Sequence, residues 1–185
     1  MILNGVRSGS IATRNGGAKE REQRMSVSLR DSVQLVSDPK KLDESVIEVF
    51  QLMIGVECRW ENKQPVSESE TVTSVVGFGG MLSGACVFRS GVTAARKIAE
   101  QMTGMEFTEV DDTVKDAVGE ICNMLAGAWK GRFPNLAANC GLSVPAVITG
   151  RDYNLHVQAP EFQIHHIYRF EDVFFEVTIV CDGIQ

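Results

Sequence analysis

Thr71-Val72-Thr73-Ser74-Val75-Val76 and Ser143-Val144-Pro145-Ala146-Val147-Ile148 are two strand-like stretches 72 residues apart, and the same offset lays Glu48, Gln51 and Gly55 over Glu120, Asn123 and Gly127. A helix-like run followed by a strand-like run therefore occurs twice at one spacing. Such a unit is read as a duplication with pseudo-twofold symmetry. Chance similarity between two amphipathic helices is the competing explanation, and the matching strands count against it.

Asp38-Pro39 supplies an N-cap and a first-turn proline for a helix that presents Val46, Val49, Phe50 and Met53 on one apolar face and ends near Gly55. Strands are expected at Val56 to Glu61, Thr71 to Gly77 and Ser83 to Arg89, separated by the polar Asn62 to Ser69 loop and by a turn at Gly77-Phe78-Gly79-Gly80. Helices are expected over Val92 to Met102, stopped by Gly104, and over Asp112 to about Lys130. Further strands are read at Val144 to Ile148, Leu155 to Gln158, Ile164 to Tyr168 and Val173 to Cys181. The fold class is α+β: a duplicated helix–strand unit whose antiparallel sheet is flanked by two long helices.

The 185 residues suffice for one domain with its own core, read as residues 29–185. Residues 1–28 are rich in Gly, Ser, Arg and Asn without sustained periodicity and read as a disordered tail. A net charge of −6 and no basic stripe exclude a nucleic-acid surface. No apolar stretch approaches the roughly 20 residues of a membrane span, and no secretory pattern opens the chain, so a cytoplasmic protein without membrane contact is expected. The five cysteines are scattered with no Cys-x-x-Cys pair, as reduced core thiols would be.

On the helix from Asp112, turned by about 100° per residue, Val114, Val118, Ile121, Cys122, Leu125 and Trp129 share one side. Asp116, Glu120, Asn123 and Gly127 fall within about 60° of one another almost opposite it. Asn is a poor mid-helix residue, and Gly119 and Gly127 each cost up to about 1 kcal/mol relative to Ala, so helix propensity did not select this set. Close approach by a partner to an exposed stripe carrying an amide and two glycines would explain it. A solvated face whose glycines admit a neighbouring element of the same chain would explain it too. A carboxamide can donate to and accept from one water without titrating, and amide-oriented water serves phosphoryl transfer.

Asp116-x-x-x-Glu120-x-x-Asn123, followed after 21 residues by Pro145, resembles the signature of the CheC, CheX and FliY phosphatase family. The resemblance extends to Gly80-Met81-Leu82-Ser83-Gly84, the helix end Ala99 to Gly104 and the run Gly119 to Gly127, and covers roughly residues 30 to 183. It implies a phosphatase acting on the aspartyl phosphate of a CheY-like response regulator. Asn123 would orient the water, Glu120 would contact the regulator's lysine, and Asp116 and Gly127 would support docking. It implies no cofactor or metal in this chain, the Mg2+ being the regulator's. Glu48 and Gln51 depart from the motif by placing Gln where Asn is expected, which leaves at most a degenerate second site; the longer side chain is less preorganised. One intact motif points to the CheX type, which implies a homodimer built through the β-sheets. The alternative is a non-catalytic scaffold module for a response regulator or flagellar switch component.

His165 and His166 are adjacent in a strand-like run and so face opposite ways, unsuited to ligating one metal. Gly77-x-Gly79-Gly80 lacks the lysine of a phosphate loop. Cys122 lies on the buried side of its helix, away from a nucleophile's place.

Overall fold

The structure, a computed structural model, describes residues 33–62, 69–151, 153 and 160–184. The tail over residues 1–28, most of the Asn62 to Ser69 loop and the strand expected at Leu155 to Gln158 lie outside the described residues.

Helix α1 spans Pro39–Val49, with the Asp38 carboxylate accepting from the Lys40 N–H at 3.0 Å and proline in the first turn. It runs directly into a π-helical turn, Phe50–Ile54, which Gly55 closes at φ 74°. The helix thus ends where expected, but the wider turn changes its facing. Phe50 is fully buried, whereas Met53, expected on the core face, is 54% exposed. A period of 3.6 does not extrapolate through a π turn.

Strand β1 is Cys58–Glu61, β2 Thr71–Gly80 and β3 Leu82–Gly91; helix α2 is Val92–Thr103 and α3 Asp112–Gly131. A short helix α4, Pro134–Asn139, leads into β4, Cys140–Leu142; then come β5, Ala146–Gly150, β6, Phe162–Phe170, and β7, Val173–Ile184. The strands form one sheet, β1-β6-β7-β3-β2, whose β2 edge is shared by β4 at one end and β5 at the other. Every pairing among the described residues is antiparallel.

The glycines expected to make a turn at 77–80 instead continue β2. Phe78, Gly79 and Gly80 pair with Leu142, Gly141 and Cys140 of β4, a strand too short to show in the sequence pattern. Only Gly80, at φ 109°, belongs to the bend, and a Cβ there would overlap the Asn139 carbonyl.

The duplication is visible in the pairing itself. Ser74 lies opposite Val147 and Val75 opposite Ala146, while the 72-residue offset equates Ser74 with Ala146 and Val75 with Val147. An antiparallel pair whose equivalent residues meet in this crossed way has the pseudo-twofold axis passing between them.

The core lies between the helices and one face of the sheet. Cys122 of α3 reaches the carbonyls of Ser74 and Cys86 at 3.4 and 3.5 Å, and the Phe50 ring stacks on Phe175 at 4.4 Å. Val72, Val76, Phe88, Phe175, Val177 and Ile179 are buried beneath them. On the opposite face Val75 and Val87 are half-buried, and the Tyr153 hydroxyl donates to Thr73 at 2.5 Å.

Candidate functional site

The site is built on α3. Asp111 caps it by accepting from the Val114 N–H at 2.9 Å, and Lys115 pairs with Asp112 at 2.9 Å, holding that carboxyl below the usual carboxylate range. All six residues assigned to the apolar side, Val114, Val118, Ile121, Cys122, Leu125 and Trp129, are fully buried. That burial sets the helix's rotation and turns the opposite stripe outward. Asp116 and Glu120 are exposed, and Asn123 and Gly127 are half-buried. Among the described residues no partner engages the side chains of Asp116, Glu120 or Asn123. A free carboxylate thus stands one turn before a free carboxamide, their Cβ atoms on the order of 5–6 Å apart.

Gly119 does not belong to this open surface. It is buried, and a Cβ there would meet Pro145 at 3.4 Å and Val147 at 3.5 Å, so its bareness serves the close approach of the β4–β5 edge. Among the described residues a Cβ on Gly127 would meet only Leu142, at 4.0 Å. One of the two glycines is therefore explained by the chain's own packing, and the other is not.

The linker between β4 and β5 is fastened by Ser143, which sequence reasoning did not single out. Its N–H donates to the Gly77 carbonyl at 2.9 Å, its hydroxyl accepts from the Gly77 N–H at 2.8 Å and donates to the Val144 carbonyl at 2.9 Å. The absence of a side chain at Gly77, where a Cβ would lie 3.4 Å from the Ser143 hydroxyl, is the signal that could have pointed to it.

The related stripe on the first helix is arranged differently. Glu48 forms an ion pair with Arg132, the residue capping the C-terminus of α3, and the same guanidinium lies 3.8 Å from Glu44 and donates to the Ser45 hydroxyl at 3.2 Å. Gln51 is exposed but sits in the π turn, so it does not repeat the i, i+3 geometry that relates Glu120 to Asn123.

His165 approaches Thr178 at 2.9 Å and His166 approaches Asp43 at 2.7 Å, on opposite faces of β6 as expected. Tyr168 donates to the same Asp43 oxygen at 2.8 Å, tying α1 to the sheet. Trp129 is buried, while Trp60 lies half-exposed near His166, ring centroids 5.8 Å apart. All five cysteines are free and buried, and burial with the charge of Asp43 pushes the Cys58 thiol up to about 12. Among the described residues no three His, Cys, Asp or Glu side chains gather in a metal-binding cluster.

The family model described as Chemotaxis phosphatase CheX matches residues 72–166, a span that contains α3 and the β4–β5 linker. CheY-P phosphatase CheX of Thermotoga maritima is 29% identical over 115 residues, covering 60% of this chain and 74% of that protein. The crystal structure of chemotaxis protein CheX from Vibrio vulnificus superposes with a TM-score of 0.66 at 19% identity, covering 79% of this chain and 97% of that one. A CheX–CheY–BeF3–Mg2+ complex from Borrelia burgdorferi contains a similar chain, with a TM-score of 0.60 at 18% identity, covering 78% of this chain and 97% of that one. The likeness to the solved structures places the antiparallel sheet and its helices in a known fold, and the family model spans half of the chain: the chain belongs to the CheX family of chemotaxis phosphatases.

Proposed function

We propose that this chain hydrolyses the aspartyl phosphate of a CheY-like response regulator, with Asn123 orienting the attacking water and Glu120 contacting the regulator's lysine. The observation that carries the reading is that Glu120 and Asn123 face outward without partners among the described residues, while Glu48, the counterpart of Glu120 in the duplication, is bound to Arg132. Groups left free on a well-packed helix are available to a docking surface. The similar Thermotoga maritima protein is named for CheY-P, and the similar Borrelia burgdorferi chain was solved with CheY.

In this reading α3 enters the regulator's active site stripe first. The Asn123 carbonyl accepts from the water and its amide donates to it, aligning the water oxygen with phosphorus. An O–P bond forms, the aspartyl P–O bond breaks, and inorganic phosphate and a free aspartate result; the carboxamide neither gains nor loses a proton. Charge neutralisation at the phosphoryl group is left to the Mg2+ and lysine of the regulator, so this chain contributes positioning. Asp116, one turn before Glu120, supports docking, and Gly127 keeps the helix low beside the inserted side chains.

A cytoplasmic location goes with such a substrate, and no helix among the described residues is long and apolar enough to cross a membrane. A homodimer through the β-sheets is the assembly that accompanies it.

Phosphate loss from the phosphorylated cognate regulator tests the reading. The natural protein should accelerate it, and Asn123→Ala should remove about 100-fold or more of the gain while melting normally. Glu120→Ala should weaken both binding and rate. Binding with no acceleration over the regulator's own hydrolysis would replace the enzyme with a docking module.

A further inference from the structure

We infer that Val144 is an apolar anchor beside Asn123 that the docked response regulator buries; the inference rests on the functional reading above. Val144 is 86% exposed, more than any other large apolar residue among those described. An isolated exposed valine is ordinary; this one is held rigidly, and it is held at one place. Ser143 is tied to Gly77 by two hydrogen bonds and to the Val144 carbonyl by a third. Pro145 restricts the residue before it to extended geometry, and a β-branched side chain is stiff about χ1. Little entropy remains to be lost when a partner covers it.

The glycine contacts fix where Val144 stands along α3. Pro145 lies against Gly119, and Leu142 lies against Gly127. The helix rises about 12 Å between those two glycines. The three residue steps from Leu142 to Pro145 span about 10 Å of extended chain. The linker therefore runs beside the helix in the opposite direction with nearly matched rise, which sets Val144 level with Ile121 and Cys122, and helical side chains lean toward the N-terminus, so that of Asn123 is carried back toward this level. Around the helix axis Asn123 is about 40° from Gly119, whereas Glu120 is about 100° away, so Asn123 is the polar stripe residue turned most toward the linker. The carboxamide accordingly stands between a carboxylate on one side and a fixed isopropyl group on the other. The partner surface this fits is an apolar patch bordering the regulator's phosphorylation site.

The test is titration of the BeF3-activated regulator with the natural protein, Val144→Ser and Val144→Ile, alongside turnover of the phosphorylated regulator. Val144→Ser should weaken binding and raise KM about tenfold, the scale set by burying one valine side chain, with turnover at saturation within about twofold. Val144→Ile should keep the natural affinity. The melting temperature should not move, because Val144 is exposed. Unchanged affinity in Val144→Ser, a fall confined to turnover at saturation, or a lowered melting temperature would each overturn the inference. Because the titration reads binding alone, a natural protein that binds without accelerating phosphate loss refutes the phosphatase reading while still deciding the role of Val144; a natural protein that does not bind the activated regulator overturns both.

Discussion

Replacing Gly127 with alanine separates what the fold wants from what the proposed function wants. Gly127 lies inside the 20-residue helix α3, about one turn before its last residue, Gly131, and its backbone is not among those with positive φ. Among the described residues a Cβ there would find only the Leu142 methyl at 4.0 Å, an ordinary contact. With no strain and no clash, the substitution gains the helix preference of alanine over glycine, about 0.5–1 kcal/mol. For a domain of this size that corresponds to a melting temperature higher by about 1–4 °C. The methyl also raises the stripe by about 1.5 Å one turn beyond Asn123, and a displacement of that order at a reacting centre costs about 100-fold. Thermal unfolding and phosphate release from the phosphorylated regulator, measured on one preparation, should therefore move in opposite directions. A lowered melting temperature would refute the packing described around Gly127. A raised melting temperature with unchanged turnover would remove Gly127 from the docking surface.

Gly84→Ala should behave in the other sense: at φ 156°, beside the irregularity in the β3–β7 register, its Cβ would overlap the Val180 carbonyl, and a loss of at least about 2 kcal/mol in urea unfolding is expected. Lys97 pairs with Glu171 and Asp172 across the β6–β7 turn; hydrogen bonds to Asp172 and Glu171 raise its pKa, and Lys97 in turn lowers that of Asp172. The stabilisation this cluster contributes, read as the difference between the natural protein and Lys97→Met, should be present at neutral pH. It should be lost as pH falls through the depressed Asp172 value, below 3.8, and again as pH rises through the elevated Lys97 value, above 10.5. High salt should shrink it. With all five thiols buried, Ellman's reagent at pH 8 should label none in the folded protein and five after denaturation; rapid labelling of one would contradict the core assignment.

Periodicity served well wherever one rule governed a whole element. The apolar side of α3 was legible because six residues obey a single 3.6-residue period, and their burial alone decides which way Glu120 and Asn123 point. It failed where geometry changes within an element. A 3.6-residue period places Met53 in the core, because nothing in Phe50–Ile54 announces a π turn. The glycines from 77 to 80 resemble a turn until β4 is known to pair with them, and β4, three residues long, carries no period of its own. Gly119 and Gly127 look alike on a helical wheel. Only the arrival of Pro145 and Val147, 26 and 28 residues further along the chain, distinguishes a glycine required by packing from one left bare.

The duplication explains why the two halves of the chain need not do the same chemistry. The 72-residue offset equates Gly55 with Gly127, yet Gly55 terminates its helix in the left-handed region, whereas Gly127 lies within a helix that continues to Gly131. The extra length of α3 delivers Arg132 to the side of α1, where its guanidinium joins Glu48, Glu44 and Ser45. A longer second helix thus does two things at once: it exposes its own carboxylate and carboxamide in regular i, i+3 geometry, and its end occupies the corresponding carboxylate of the first. The π turn then moves Gln51 off the register that would pair it with Glu48. Removing Arg132 would free Glu48 without restoring that register, and the longer Gln51 side chain would still hold a water less firmly than Asn123. The asymmetry is therefore set by backbone geometry as well as by the Asn-to-Gln difference, and of the two stripes the one on α3 alone keeps the regular i, i+3 geometry that the proposed function requires.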